Sequence, residues 1–126
     1  MIRTEKLTKI FRTEEVETTA LLDVDIHVKE GEFVAVMGPS GCEKSTLLNI
    51  LGLLDNPTGG NYFFNGEKVG HYKERQRTHL RRENIGFVFQ SFNLIDELNV
   101  FENVELPLTY LKIPSAKRKE MVKEVL

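Results

Sequence analysis

The stretch VAVMGPSGCEKSTLLNILG, residues 34–52, constrains the fold of this chain more than any other. Phe33 to Met37 is an unbroken apolar run bounded by glycines, the pattern of a buried central strand. From Lys44 to Leu54 the residues Leu47, Leu48, Ile50, Leu51 and Leu54 recur at helical spacing. Between strand and helix, Gly38, Lys44 and Ser45 stand at the spacing of G-x-x-x-x-G-K-[ST]. Such a loop turns its backbone N–H groups inward on phosphate oxygens, helped by the positive end of the helix. Lys44 then reaches the terminal phosphates, and the Ser45 hydroxyl ligates Mg²⁺. Gly41 is a second flexible position, and Ser40, Cys42 and Thr46 complete the cradle.

One position breaks the pattern. The residue before the lysine is Glu43, where the motif has glycine. Glycine there lets the backbone approach the phosphates with no Cβ in the way. A carboxylate also repels an anionic ligand: two like charges about 4 Å apart at an effective dielectric near 20 repel by about 4 kcal/mol. That is on the order of a thousandfold in affinity. Rotation of the side chain into water relieves much of the charge effect and none of the steric one. Mg-ATP binding is therefore expected to be poor, and Glu43→Gly is expected to improve it.

The rest of the chain alternates strand and helix patterns. IRTEKLTKIF and ALLDVDIHV carry the two-residue period of half-buried antiparallel strands, with Leu22, Val24, Ile26 and Val28 on one face and RTEEVETT as the connection. DNPTGGN ends the helix and YFFNGEKV reads as a further strand. HYKERQRTHLRREN is helical in composition, and IGFVF is a second buried run. Asn99 caps a helix across VFENVELPLTYL, which Pro107 should end or kink, and Pro114 and Ser115 open the last helix. This order indicates an α/β fold with a partly parallel sheet and a separate antiparallel layer. The basic stretch from Lys73 to Arg82 is interrupted by Glu74 and reads as a solvated helix face, with no nucleic-acid role.

Composition adds boundaries. The 126 residues suffice for one small domain, and a formal net charge of −2 sets up no field for nucleic acid or anionic membranes. No apolar run approaches the roughly 18 residues of a membrane span, and MIRTEKLTKIF lacks a signal-peptide core. The single cysteine, Cys42, forms no internal disulfide, which suits a reducing cytoplasm. SAKRKEMVKEVL carries no helix stop signal before Leu126, so the chain is expected to be a fragment.

The phosphate loop alone leaves kinases, GTPases and transporter ATPases open. NIGFVFQSFNLIDELNVFENVELPL narrows the choice: it resembles the Q-loop region of ATP-binding cassette (ABC) transporter ATPases, in which a buried strand ends in glutamine. GEFVAVMGPSG and ENVELPL are similar to the lipoprotein-releasing and macrolide-exporter branch of that family. The resemblance covers essentially the whole chain. It implies a P-loop NTPase core, incomplete here, with an N-terminal antiparallel β-layer (residues 1–32), the core through the Q-loop (33–90) and the start of a helical subdomain (91–126). It further implies that Gln90 helps ligate Mg²⁺ and senses the γ-phosphate, and that Phe11 stacks on adenine. Residues 91–108 then face a transmembrane permease, although Phe92, Leu94, Ile95, Leu98 and Phe101 read equally as core of the helical subdomain. A second cassette is the other implied partner, and the inner face of the cell membrane the implied location.

The chain contains no L-S-G-G-Q signature, no apolar strand ending in Asp-Glu and no histidine after the Q-loop. Phosphoryl transfer depends on positioned groups of that kind. The resemblance therefore implies an ATP-binding subunit coupled to transport, and the 126 residues alone are expected to show no ATPase turnover. The alternative is a non-catalytic remnant or permease-docking module that binds ATP weakly or not at all.

Overall fold

The computed structural model describes residues 1–126, which form two compact units, Met1–Arg81 and Arg82–Leu126. In the first unit, strands β1 (Ile2–Arg12), β2 (Glu17–Val28), β3 (Gly59–Phe64) and β4 (Glu67–Lys68) make an antiparallel sheet in the order β2-β1-β3-β4. A turn closed by Thr13 N–H donating to Val16 O at 2.9 Å joins β1 to β2, where the charged connection was expected. Helix α1 (Lys44–Leu51) buries Leu47 and Ile50 and ends at Gly52. Leu7, Ile50 and Val69 are fully buried beside Tyr62 and Leu53. Each such side chain contributes about 1.5–3 kcal/mol by leaving water. Helix α2 (Glu74–Asn84) begins in this unit.

The strands do not keep one phase along their length. Register shifts fall between Thr4 and Leu7, Leu7 and Lys9, and Lys9 and Ile10. Lys6 and Asp23 take positive φ, 48° and 49°, at these irregularities. A bulge inserts one residue and exchanges the faces beyond it. Thr4, Leu7 and Lys9 are consequently the buried positions of β1, and Leu21 rather than the expected Leu22 is buried in β2. Leu22 is 69% exposed. Gly60 of β3 lies against the same disturbance, where a Cβ would stand 2.1 Å from Lys6 O, so no side chain fits.

Both apolar runs expected as buried central strands are corrected by the structure. Residues 33–37 and 85–89 join no sheet, and Phe33 is 95% and Val88 103% exposed. A parallel central strand forms only between hydrogen-bonded neighbours with both faces covered, and no segment of the 126 residues pairs with either run. Stacking of Phe87 on Phe89, with ring centroids 5.7 Å apart, is the local substitute.

In the second unit, α3 (Val100–Tyr110) starts with the expected cap: Asn99 accepts from Glu102 N–H, and the Glu102 carboxylate accepts from Asn99 N–H. Pro107 neither ends nor breaks the helix, which continues to Tyr110. Helix α4 (Ser115–Val125) follows Pro114 as expected and packs on α3. Its Arg118 donates to Glu105 at 2.9 Å and to Ile113 O at 2.8 Å, above the buried Val122. No helix is long and apolar enough to cross a membrane.

Candidate functional site

Between residue 37 and α1 the chain makes a tight glycine turn. Gly41 has φ +81°, and Cys42 N–H donates to Pro39 O at 3.4 Å, closing a turn before the helix. A Cβ on Gly38 would meet Cys42 Sγ at 2.5 Å, so the loop closes this tightly only around glycine. Lys44 curls back into the loop: its ammonium donates to Gly38 O at 2.8 Å and Pro39 O at 2.7 Å, and lies 3.3 Å from Cys42 Sγ. An ammonium satisfied by neutral carbonyls is one that phosphate oxygens can attract with a stronger, charge-assisted bond. Ser45 is exposed at the first turn of the helix, and Ser40 is exposed on the loop.

Glu43 takes the glycine's backbone conformation, φ 58° and ψ 26°, as the residue before α1. A side chain in this left-handed region costs about 1–2 kcal/mol that glycine avoids. Its carboxylate accepts a 2.6 Å hydrogen bond from Thr46 Oγ1. The anticipated charge conflict is thus partly redirected. The carboxylate is held by Thr46, whose hydroxyl is engaged in holding it.

Phe11 lies near the end of β1, 44% exposed, with the Lys9 ammonium over its ring at 5.1 Å from the centroid. Lys9 is only 8% exposed and pairs with Asp55 at 2.6 Å. Burial by itself would raise the Asp55 pKa, and the Lys9 hydrogen bond, the Asn56 N–H and the nearby Arg77 together hold it below the usual value. Lys9 and Asp55 escaped the sequence reading. The available signal was a lysine two residues before Phe11 on a strand whose buried positions are otherwise Thr4 and Leu7. Gln90 belongs to the second unit, exposed directly after the 85–89 run.

The structure therefore brings Gly38, Cys42 and Lys44 into one contact set and pairs Glu43 with Thr46 in another, and it gives Phe11 a separate set of neighbours. The expected solvated face of α2 is partly corrected. Glu74 pairs with Arg77 and Arg81, and Arg77 is 12% exposed. A concavity of about 860 Å³, lined by Arg3, Lys6, Asp23, Asp25 and His27 among others, includes no residue of the loop before α1.

A phosphate loop opening a helix, beside an antiparallel β-layer and followed by a small helical unit, defines the P-loop α/β class of nucleotide-binding cassettes. A sequence model of the ABC transporter family matches residues 21–126. The chain belongs to the ABC transporter ATP-binding family. It is 48% identical over 118 residues to an ABC transporter ATP-binding protein of Thermotoga maritima, covering 94% of this chain and 50% of that protein. It is 44% identical over its whole length to the macrolide export ATP-binding/permease protein MacB of Azoarcus sp., covering 19% of that protein. Among solved structures it resembles the dimeric, post-hydrolysis ATP-binding cassette MJ0796 bound to ADP and Pi. That match has a TM-score of 0.90 and 42% identity, and covers 98% of this chain and 55% of the other. MJ0796 is a protein of Methanocaldococcus jannaschii. The chain thus spans about half the length of the stand-alone ATP-binding relatives it matches.

Proposed function

We propose that this chain supplies the phosphate-binding part of an ATP-binding subunit that couples ATP binding and hydrolysis to transport by a membrane permease. The observation that carries the reading is the Lys44 ammonium held inside a tight glycine loop at the start of α1. In this reading Gly38, Ser40, Gly41, Cys42, Glu43, Lys44, Ser45 and Thr46 surround the phosphates. Ser45 and Gln90 are the candidate Mg²⁺ ligands, and Phe11 stacks on the base. Ser45 suits the metal because its hydroxyl is exposed at the helix start, and Gln90 because an amide oxygen ligates a hard cation without adding charge. Bound Mg²⁺ would neutralise phosphate charge.

Relatives that are fused to a permease or crystallise as dimers support a transmembrane partner and a second cassette. Work at the inner face of the cell membrane follows from that partnership. Hydrolysis needs groups that these 126 residues do not contain, so the chain alone binds without turnover.

A second reading, a permease-docking module with weak nucleotide affinity, is favoured by one observation. Glu43 stands in the left-handed conformation and occupies the Thr46 hydroxyl. Calorimetric titration with Mg-ATP separates the two readings. Glu43→Gly is expected to tighten binding at least about tenfold, since it removes the Cβ and carboxylate and frees Thr46. Equal, tight affinities in both forms would show that Glu43 is harmless. No binding in either form would leave the docking module.

A further inference from the structure

The end of α1 and the segment that follows it are tied to the rest of the first unit by side-chain hydrogen bonds. Their carbonyls are taken up in turn by side chains from elsewhere. Tyr62 donates to Leu51 O at 2.6 Å, Arg81 to Leu53 O, and Lys9 to Asn56 O at 2.8 Å. Lys9 also forms the ion pair with Asp55 and stands over the Phe11 ring. A buried ammonium is costly unless it is paired and hydrogen-bonded, so its place is narrowly defined. One charged group thus joins three parts: β1, the chain leaving the phosphate-loop helix, and an aromatic ring left 44% exposed.

We propose that Lys9, anchored by Asp55, is a positioning residue for nucleotide binding. It holds the Phe11 ring as a platform for a planar base, in register with the helix that carries the phosphate loop. This rests on reading the loop as a nucleoside triphosphate site. Lys9 spends its hydrogen bonds on Asp55 and Asn56, so its contribution falls on the base and not on the phosphates. A stacked base is worth enough for that contribution to be measured, and a cation over the ring adds to the ring's fixation.

The test compares Mg-ATP with inorganic tripolyphosphate, each with Mg²⁺, on the 126-residue chain carrying Glu43→Gly. Lys9→Met is expected to lower ATP affinity about tenfold and to leave tripolyphosphate affinity within about twofold. Adding Phe11→Ala to Lys9→Met is expected to cause no further loss, because both act on one platform. Lys9→Arg, which keeps the charge, is expected to restore most of the ATP affinity. Equal losses for both ligands, or additive losses in the double variant, would overturn the proposal and leave Lys9 a structural residue. Failure of the Glu43→Gly parent to bind either ligand refutes the nucleotide-site reading and the platform role with it.

Lys9→Met also removes a buried ion pair, so a ligand-free measurement accompanies the titrations. The chain has no tryptophan, and Phe11→Trp places a single reporter on the platform. Its fluorescence anisotropy is expected to fall on Lys9→Met and on Asp55→Asn while far-UV circular dichroism holds. Unchanged anisotropy would also overturn the proposal.

Discussion

Glu43 shows how a residue can satisfy the geometry of a motif while opposing its chemistry. The loop needs a left-handed residue just before α1, and Glu43 supplies φ 58° at a cost that glycine would not incur. The hydrogen bond from Thr46 holds the carboxylate in one place, and in the proposed reading its effect on phosphate would combine exclusion with competition for a hydroxyl. Asp55 is a charged residue tied into the fold of the first unit through its ion pair with the buried Lys9. Its pKa is lowered from 3.8, so the carboxylate contributes stability above that value, and the contribution is lost as pH falls through the lower folded pKa. Asp55→Asn is expected to lower the urea midpoint at pH 7 and to lose much less by comparison at pH 3. The carboxylate is 40% exposed, so solvent screening keeps the gap modest. Parallel pH profiles for the two proteins would contradict the assignment.

At the scale of elements, α3 is the clearest case of local chemistry deciding an outcome. The reciprocal bonds of Asn99 and Glu102 satisfy two donors at the helix start. Asn103 adds side-chain bonds to Ile95 O, Leu98 O and Asn99 O, binding the preceding loop to the helix. Asn99→Ala is expected to cost about 1 kcal/mol, read as a lower urea midpoint with reduced helicity by circular dichroism. Pro107 was expected to end or kink this helix. It sits instead on an exposed position where α3 runs on for three further residues to Tyr110. The lost N–H donor is tolerated because packing and capping at both sides hold the helix together. In the sheet, the same kind of local reading failed at Leu22, since alternation predicts a face only while no bulge intervenes.

At the scale of the whole molecule, the decisive feature is apolar surface. Phe33 and Met37 in the first unit, and Val88 and Phe92 in the second, are each at least 88% exposed. Surfaces of this kind bind hydrophobic dyes and neighbouring chains. The 126-residue chain is expected to bind anilinonaphthalene sulfonate strongly and to self-associate with concentration in sedimentation. Phe33→Ser combined with Val88→Ser is expected to reduce both, and a monodisperse, dye-silent parent would contradict this account. The phosphate loop, the capped α3, the hairpin of β1 and β2 and the family itself were legible in the sequence. Each of these depends on spacing within a short stretch: a glycine six residues before a lysine, an Asn three before a Glu, an alternating run. The burial of Lys9 against Asp55, the shift from Leu22 to Leu21 and the exposure of two apolar runs were decided only by the tertiary structure. Those outcomes depend on which backbone groups and side chains from distant segments are there to meet them, and composition and periodicity carry no record of that.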